Sequence, residues 1–271
     1  MVIDYRCLAN AADPPFEEVH EYHSLSFVRR GSFGCRAHGS SFELAAGGFF
    51  IGFPGDAFTC THDHHDGGDE CLSFQFSPEL ADEIGADTEA WRRVTIPPIA
   101  PLAMLGALAQ SVADGHSELS LDEAGMLLAA RFVDVTRGER RIPVRATDRD
   151  RRRCVEAAMW LNGHAGDPVK LEDVAAEVGL STLHFLRLFA QVMQTTPHRY
   201  LILCRLRRAA ELLARPDHSV TEIGLDSGFE DLSNFERTFK RAAGVSPGRY
   251  RRLSRGDRKI LQDRLAATAI T

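Results

Sequence analysis

The stretch Ser219–Phe235, SVTEIGLDSGFEDLSNF, decides the fold of the second half of the chain. Val220 and Ile223 mark one apolar helical face, and Gly228 interrupts that pattern before the next apolar set begins at Leu232. Two helices joined by a short glycine turn predict a helix-turn-helix, whose second helix is able to enter a DNA major groove. For a single unit, an ordinary helical hairpin in a bundle is an equally good interpretation.

The same pattern occurs earlier in the chain, at Val174–Phe189 (VAAEVGLSTLHFLRLF). Gly179 corresponds to Gly228 at an offset of 49 residues, and after the glycine the offset becomes 50. Each copy is followed by the motif Ser/Thr-Pro-x-Arg-Tyr, at 196–200 and at 246–250. A repeat of this length indicates a duplicated supersecondary unit. Two such copies in a basic segment favour DNA binding over a helical bundle.

Charge divides the chain into two parts. Residues 1–142 hold 22 acidic and 10 basic residues, a net charge of −12, whereas residues 143–271 carry +6, within a total of −6. A basic second half is typical of a module that faces a polyanion. Hydrophobic residues make up 44% of the chain, which excludes global disorder. We expect a sensor and dimerisation domain at 1–141, a linker at 142–150, a DNA-binding domain at 151–254 and a C-terminal tail at 255–271.

The first half has the pattern of an all-β domain followed by helices. Leu25–Val28 and Phe49–Phe53 are aromatic and β-branched runs, and glycine and proline turns separate the strands of this region. Short strands at this spacing predict a barrel or sandwich. After Pro98 the period becomes helical, with apolar stripes over 102–112 and 121–135. These helices either cover the open end of the barrel or present an apolar stripe to a second copy in a homodimer.

A cysteine- and histidine-rich segment, CTHDHHDGGDEC, occupies residues 60–71. In a strand, alternate side chains project from one face, and a turn at Gly67–Gly68 would return the chain opposite them. Two thiolates and two imidazoles would then form a tetrahedral zinc-type site. The candidate ligands are Cys60, His62, His64 and Cys71, with His65 or Asp66 as substitutes for one of them. The alternatives are a polar loop with two buried structural cysteines, or thiols that sense redox state.

The sequence shows no targeting or membrane signal. Met1–Asn10 lacks a basic start followed by an apolar stretch, and the longest apolar run, Ile96–Ala109, contains prolines and is too short to cross a bilayer. Six scattered cysteines without an export signal are more typical of reduced thiols or ligands than of disulfides. We therefore expect a cytoplasmic protein with no membrane partner.

Residues 151–253 resemble the DNA-binding domain of the AraC family of bacterial transcription regulators. The resemblance rests on the segments Ser219–Ile223, Ser227–Phe235, Phe239–Arg241 and Gly244–Pro247. It implies an all-α domain of seven helices, in which a long helix, here about Pro197–Ala214, joins two helix-turn-helix units. Each unit would place its recognition helix in one of two adjacent major grooves.

The resemblance also implies which side chains meet DNA. Groove-facing positions are Thr182, Leu183, Leu186 and Arg187 on the first recognition helix, and Leu232, Ser233, Asn234, Glu236 and Arg237 on the second. Arg187 suits guanine, Asn234 suits adenine and Glu236 suits a cytosine amino group. Leu183 and Leu186 pack either on thymine methyl groups or in the core, and Arg237 has a structural or phosphate-facing alternative. Phosphate candidates are Arg199, Lys240, Arg249 and the cluster Arg205, Arg207 and Arg208, for which a solvated helix face is the alternative.

The strands of the first half, with Gly47–Gly48 and the turn at 54–56, resemble the cupin-type barrel that many AraC-family members carry. That resemblance implies a transcription regulator controlled by an unknown effector, either a small molecule or a metal, and no enzymatic activity. Its expected partners are double-stranded DNA, RNA polymerase and a second copy, and zinc is the one candidate cofactor. The competing hypothesis is a metal-dependent cupin enzyme fused to a helical domain. The two-histidine cupin motif is not visible, because His38 stands alone in its segment.

Overall fold

The computed structural model describes residues 1–63, 65, 67–84, 89–136, 146–215 and 217–256. The strands are β1 (Val2–Cys7), β2 (Phe16–Val19), β3 (His23–Ala37), β4 (Ser40–Ala45), β5 (Phe49–Gly52), β6 (Ala57–Thr61), β7 (Asp69–Phe76) and β8 (Thr95–Ile96). The helices of the first half are α1 (Pro78–Glu83), a 3-10 turn (Glu89–Arg92), α2 (Ala100–Ala113) and α3 (Leu121–Thr136). Those of the second half are α4 (Asp148–Gly163), α5 (Leu171–Glu177), α6 (Thr182–Val192), α7 (Pro197–Ala214), α8 (Val220–Asp226), α9 (Leu232–Ala243) and α10 (Pro247–Ser254).

The long strand β3 belongs to two antiparallel sheets, because its two halves pair with different neighbours. Its first half lies in the order β1-β7-β3-β5-β8, and its second half pairs with β4 and with β6, which in turn pairs with β2. The strand changes sheets near Gly31, next to a register shift between Val28 and Arg30. Gly31 has a φ of 69°, and a Cβ there would overlap the carbonyl oxygen of Gly68.

The antiparallel β-structure predicted for the first half is therefore confirmed, whereas a closed barrel is not. Within the described residues, the pairing does not run round into a ring, because β1 and β8 end one sheet while β2 and β4 end the other. The cause is a long-range feature of the pairing. Strand β3 passes from one sheet into the other, and the edge strands of the two sheets do not pair with one another.

Helix α2 is buried on almost every face, because it lies between the sheet and the C-terminal helices. Gly106 faces the ring of Phe27, where a Cβ would come 2.5 Å from a ring carbon, and the rest of the helix packs against α7, α9 and α10. On α3, Leu128 and Phe132 are fully buried. Both predicted stripes thus lie within the fold of one chain, which agrees with helices that cover the sheet. A homodimer stays a prediction.

The helical order of the second half follows the expectation, with seven helices in its described part and α7 over the predicted residues. Gly179 and Gly228 have φ angles of 64° and 88°, as the turns of two helix-turn-helix units require. Helix α4 starts at Asp148, inside the predicted linker, because Thr147 caps it. Residues 142–145 of that linker and 257–271 of the tail lie outside the described residues. No described helix combines the length and the apolar character needed to cross a membrane.

The repeated Ser/Thr-Pro-x-Arg-Tyr motif starts one helix in each copy and also ties the two halves of the chain together. Thr196 and Ser246 cap α7 and α10, each accepting a backbone hydrogen bond at 3.3 Å, and proline follows in the first turn. The buried hydroxyl of Tyr200 donates to the carbonyl of Ala46 at 3.1 Å, and that of Tyr250 donates to Met104 at 3.0 Å. Equivalent tyrosines of the repeat therefore both reach into the first half.

Tyr200→Phe and Tyr250→Phe are each expected to lower the free energy of unfolding of the full chain by about 1 kcal/mol. Each change removes the hydrogen bond that the hydroxyl donates and leaves a buried carbonyl oxygen without that donor. Urea unfolding followed by circular dichroism measures the effect, with Tyr22→Phe at a partly exposed position as the control. Unchanged stability in both variants would contradict a structural role for these hydroxyls.

Candidate nucleic-acid interface

Helix α6 separates its core residues from its exposed ones along the lines that the repeat predicts. Phe185, Leu188 and Phe189 are buried against α4 and α7, whereas Arg187 is exposed. Leu183 is 60% exposed, which assigns it to the surface and not to the core. Thr182 and Leu186 lie between these extremes as half-buried residues. Ser181 occupies the N-cap position as its type favours, although its hydroxyl makes no capping hydrogen bond.

Helix α9 repeats this division in the second unit. Asp231 caps it by accepting the backbone hydrogen bond of Asn234 at 2.7 Å, and Phe235 and Phe239 fill the core beneath it. Its exposed predicted contacts are Ser233, Glu236, Arg237 and Lys240. Leu232 is half-buried and packs against the hydrophobic core, so the structure gives it a packing role beside the predicted groove contact.

Asn234 is engaged within its own helix. Its side-chain oxygen accepts hydrogen bonds from Arg237 at 3.4 Å and from Thr238 at 3.3 Å. A bidentate contact with adenine needs both this oxygen and the amide nitrogen. Such a contact would therefore replace two long intrahelical bonds, which cost little to exchange.

Other residues of the Ser219–Phe235 motif have structural roles in the second unit, and the side-chain groups that fill those roles are not free to contact DNA. Ser219 and Glu222 form a reciprocal capping box at the start of α8, with distances of 3.2 and 2.8 Å, and these bonds lower the pKa of the Glu222 carboxyl. Ser227 is fully buried beside the glycine turn at Gly228. The motif is thus explained mainly by how it starts, turns and caps helices.

Among the predicted phosphate contacts, the arginine cluster of α7 has other roles. Arg207 is only 4% exposed and donates to the carbonyl of Arg29 at 2.6 Å, so its prediction as a phosphate contact is wrong. Arg205 donates to the carbonyls of Ala165 and Asp167, both at 3.0 Å. These guanidinium groups satisfy carbonyls of turns and of the first half, which the helical pattern of α7 alone does not reveal. Arg208 does the same, donating to the carbonyl of Asp226 at 3.0 Å.

The other phosphate candidates are accessible to different degrees. Arg199 and Lys240 are exposed and Arg249 is half-buried. Arg199 borders a cleft of about 930 Å³ between residues 97–101 and helices α6, α7 and α9. Helix α7, at 18 residues, is about 27 Å long at 1.5 Å per residue. Adjacent major-groove segments on one face of B-DNA lie about 34 Å apart, and docking of α6 and α9 into adjacent grooves stays a prediction.

A second candidate site lies in the first half, as a cavity of about 440 Å³ between the two sheets. Its lining is mixed: Tyr5, Phe16 and Tyr22 are partly exposed at its edge, and a cluster of thiol, imidazole and carboxyl groups lies inside. His20 stacks on Phe58 with ring centroids 4.3 Å apart, and burial lowers its pKa to about 4. The inner cluster consists of Cys7, Cys60, His62, Asp69 and Cys71.

The described members of the predicted ligand set, Cys60, His62 and Cys71, do not meet in the register that the sequence suggested. Strand β6 ends at Thr61, so His62 does not continue the alternation of side chains that begins at Cys60. In the ladder between β6 and β3, Cys60 lies opposite Cys35. Strands β6 and β7 both pair with β3 and not with each other, so Cys71 does not lie opposite Cys60. His64 and Asp66 lie outside the described residues. His65 is buried and bonded to Ser32 at 2.7 Å and to Glu43 at 2.8 Å.

The turn at Gly67–Gly68 instead places Asp69 directly opposite Cys7 in the pairing of β7 with β1. Among the described residues, one group of three candidate ligands has its ligand atoms within 4.8 Å of one another. It consists of Cys7, His62 and Asp69. Burial raises the pKa of Asp69 to about 6 and raises the pKa values of the Cys60 and Cys71 thiols. Protonated thiols are poor nucleophiles, which disfavours redox sensing by that pair.

Comparison with known proteins identifies the helical half. Residues 174–253 match the family model described as a helix-turn-helix domain. The HTH-type transcriptional activator RhaS of Salmonella arizonae is 28% identical over 253 residues, which cover 89% of this chain and 88% of that protein. The melibiose operon regulatory protein of Escherichia coli K12 is 31% identical over 151 residues, 52% of this chain and 49% of that protein.

Among solved structures, a transcriptional regulator from Chromobacterium violaceum, described as having an AraC-type DNA-binding domain, is 30% identical with a TM-score of 0.37. It covers 39% of this chain and 94% of its own. The family-model match and the similarity to the activator RhaS agree with the duplicated motif at 174–200 and 223–250. These comparisons support an AraC-family transcription regulator with a helix-turn-helix DNA-binding domain.

Proposed function

We propose that this protein is a sequence-specific DNA-binding transcription regulator whose first half holds an effector site. The observation that carries the proposal is the equivalence of α6 and α9. Each follows a helix and a positive-φ glycine, buries two phenylalanines, and exposes an arginine at the corresponding position, Arg187 or Arg237. Two such helices in one chain suit two successive segments of major groove.

The contacts between the two halves support control by an effector. Helix α4, the first of the DNA-binding half, donates through Arg151 to the carbonyl of Ser41, and Arg151 also lies 3.6 Å from the carboxylate of Glu43. Helix α7 is tied to the first half by Tyr200 and Arg207. An effector that binds the docked and undocked arrangements with different affinity would therefore shift how the recognition helices are presented.

The effector site in this proposal is the 440 Å³ cavity of a cupin-like first half. Its size is within the range of small-molecule sites, and aromatic rings with a few polar groups are their usual lining. The competing enzyme hypothesis would need turnover by the isolated first half with added zinc, iron or manganese. If that screen finds no turnover and the full chain binds DNA specifically, the two results together support the regulator hypothesis.

The direct test is footprinting of the full chain on DNA upstream of its own and neighbouring genes. The expected result is a protected site read from one face of the duplex over two adjacent major grooves. Binding that is equally strong on every fragment would contradict sequence-specific recognition.

Specific binding is also expected to weaken steeply with salt. Three phosphate contacts, from Arg199, Lys240 and Arg249, predict a slope of log K against log salt of about −2.7, which is about a 40-fold loss between about 50 and about 200 mM. Lys240→Ala should reduce the magnitude of that slope by about 0.9 on every sequence. Fluorescence anisotropy over a salt series measures both, with Arg6→Ala in the first half as the control. A salt-independent affinity would remove the phosphate assignments.

A further inference from the structure

We propose that Cys7, His62 and Asp69 form a binding site for a divalent transition metal ion of the zinc type. The site deepens the proposed function, since it names a chemical class of effector, and its regulatory consequence rests on that function. The binding itself does not, because the three residues lie entirely within the first half of the chain.

The geometry of the three side chains is close to what a tetrahedral ion needs. The His62 Nε2 lies 3.5 Å from the Cys7 Sγ and 3.9 Å from the Asp69 Oδ1. Ligands held at about 2.3 Å (sulfur) and about 2.0 Å (nitrogen or oxygen) of a tetrahedral zinc ion are about 3.3–3.5 Å apart. The Cys7 Sγ and a carboxylate oxygen of Asp69 lie within 4.8 Å of each other. An ion would therefore fit between the three groups after side-chain movements of about 1 Å.

The backbone brings these residues together from three separate segments. Cys7 ends β1, Asp69 begins β7, and the two are direct partners across the ladder. Gly68 has a φ of 74°, and a Cβ there would overlap the carbonyl oxygen of Cys7, so only glycine permits this close approach. His62 enters from the end of β6 and is 2% exposed.

The donor set suits a borderline-soft cation. Thiolate, imidazole and carboxylate are the three ligand types found in zinc sites. All three side chains line the 440 Å³ cavity, which leaves the fourth coordination position facing the space where water or an organic ligand enters. Cys71 donates to the second oxygen of Asp69 at 3.3 Å and so holds the carboxylate in place.

His62 of this site is followed in the chain by Asp63, which contacts the DNA-binding half. The carbonyl of Asp63 accepts a hydrogen bond from Arg152 of α4 at 2.8 Å, and the Asp63 carboxylate pairs with Arg36 at 2.7 Å. An ion that draws His62 toward Cys7 and Asp69 therefore acts on the segment that α4 holds. If the protein regulates through the docking of its halves, metal occupancy would change its DNA affinity.

The test uses the full chain, stripped of metal with a chelator, and adds Zn²⁺ or Co²⁺ alone. Zinc binding is measured by competition with a chromogenic chelator and by elemental analysis, and Co²⁺ reports a thiolate ligand through its charge-transfer absorption. The expected result is one ion per chain with a thiolate-to-cobalt band. Absence of stoichiometric binding would overturn the proposal.

Variants separate this site from the one first suggested by the 60–71 segment. Cys7→Ser should abolish the charge-transfer band, and Cys7→Ser, His62→Gln and Asp69→Asn should each weaken zinc binding more than about 100-fold, since loss of a group that only supports a ligand costs about 10–100-fold. The controls His38→Gln and Cys154→Ala should bind as the parent does. Zinc binding that is lost in Cys60→Ser and intact in Cys7→Ser would overturn the assignment.

Two further measurements keep the outcome readable. Circular dichroism and thermal unfolding of each metal-free variant show whether it folds, and Asp69→Asn is the variant that changes shape least. DNA affinity with and without Zn²⁺ is measured on the same samples. Metal binding without any specific DNA binding would refute the proposed function and leave the metal site standing, whereas the reverse result would refute the site alone.

Discussion

Arg187→Ala is expected to weaken specific DNA binding about 5- to 150-fold, the loss that follows from removing one bidentate contact to a guanine at about 1–3 kcal/mol. Arg187 is exposed on α6, and within the described residues it makes no hydrogen bond or ion pair that its removal would break. Fold stability should therefore stay within about 0.5 kcal/mol. Gel-shift titration on the footprinted site, beside thermal unfolding, measures both quantities.

The matched control for this prediction is the same titration on unrelated DNA. A base contact changes specific affinity and leaves non-specific affinity nearly constant, whereas a phosphate contact lowers both alike. Arg187→Lys is a second control, because lysine keeps the charge but loses the planar fork. Equal losses on both DNAs, rescued by lysine, would reassign Arg187 to the backbone.

Gly228→Ala is expected to lower the free energy of unfolding by about 2–5 kcal/mol. Gly228 has a φ of 88°, where an alanine costs about 1–2 kcal/mol, and its Cβ would overlap the carbonyl oxygen of Ala165 and come 2.9 Å from the Nε of Arg205. That carbonyl accepts the Arg205 hydrogen bond at 3.0 Å, so forcing the groups apart adds a packing penalty of about 1–3 kcal/mol. Urea unfolding of the full chain measures the change.

Gly179→Ala is the internal control, because the repeat places it at the same turn of the first unit. Its φ of 64° carries the same backbone cost, but a Cβ there meets only the Arg153 side chain, at 3.9 Å. We expect about 1–2 kcal/mol for this variant. Equal losses in the two variants would mean that the contact with Ala165 adds nothing and that backbone conformation alone explains both glycines.

Several parts of this protein could be predicted from the sequence because short-range chemistry determines them. Helix α7 begins at Pro197 and ends at Ala214, as the resemblance to the AraC family implies, and its start coincides with a local signal, the Thr196 cap followed by proline. The phenylalanines at 185 and 235 are buried as their spacing predicts. Arg187 is exposed on α6, as the resemblance to the AraC family implies.

Other features depend on partners that are distant in the chain. Whether Leu183 is core or surface, and whether Arg207 faces solvent or the carbonyl of Arg29, depends on what packs against each helix, and periodicity carries no information about that. The stripes on α2 and α3 were equally compatible with a second copy and with the sheet of the same chain. The packing of α2 between β3 and α7 shows that the apolar stripe of this helix faces its own chain, and only the tertiary structure reveals that packing.

By itself, the sequence determined the duplicated helical unit, its glycine turns and caps, and the division into an acidic β half and a basic helical half. The tertiary structure alone decided that β3 passes between two sheets and that Cys7 meets Asp69 and His62, although the sequence pointed to Cys60 and Cys71. The physical reason is range. Caps, turns and periodic faces depend on hydrogen bonds and side chains a few residues apart, whereas strand pairing between β1 and β7 joins residues more than sixty positions apart.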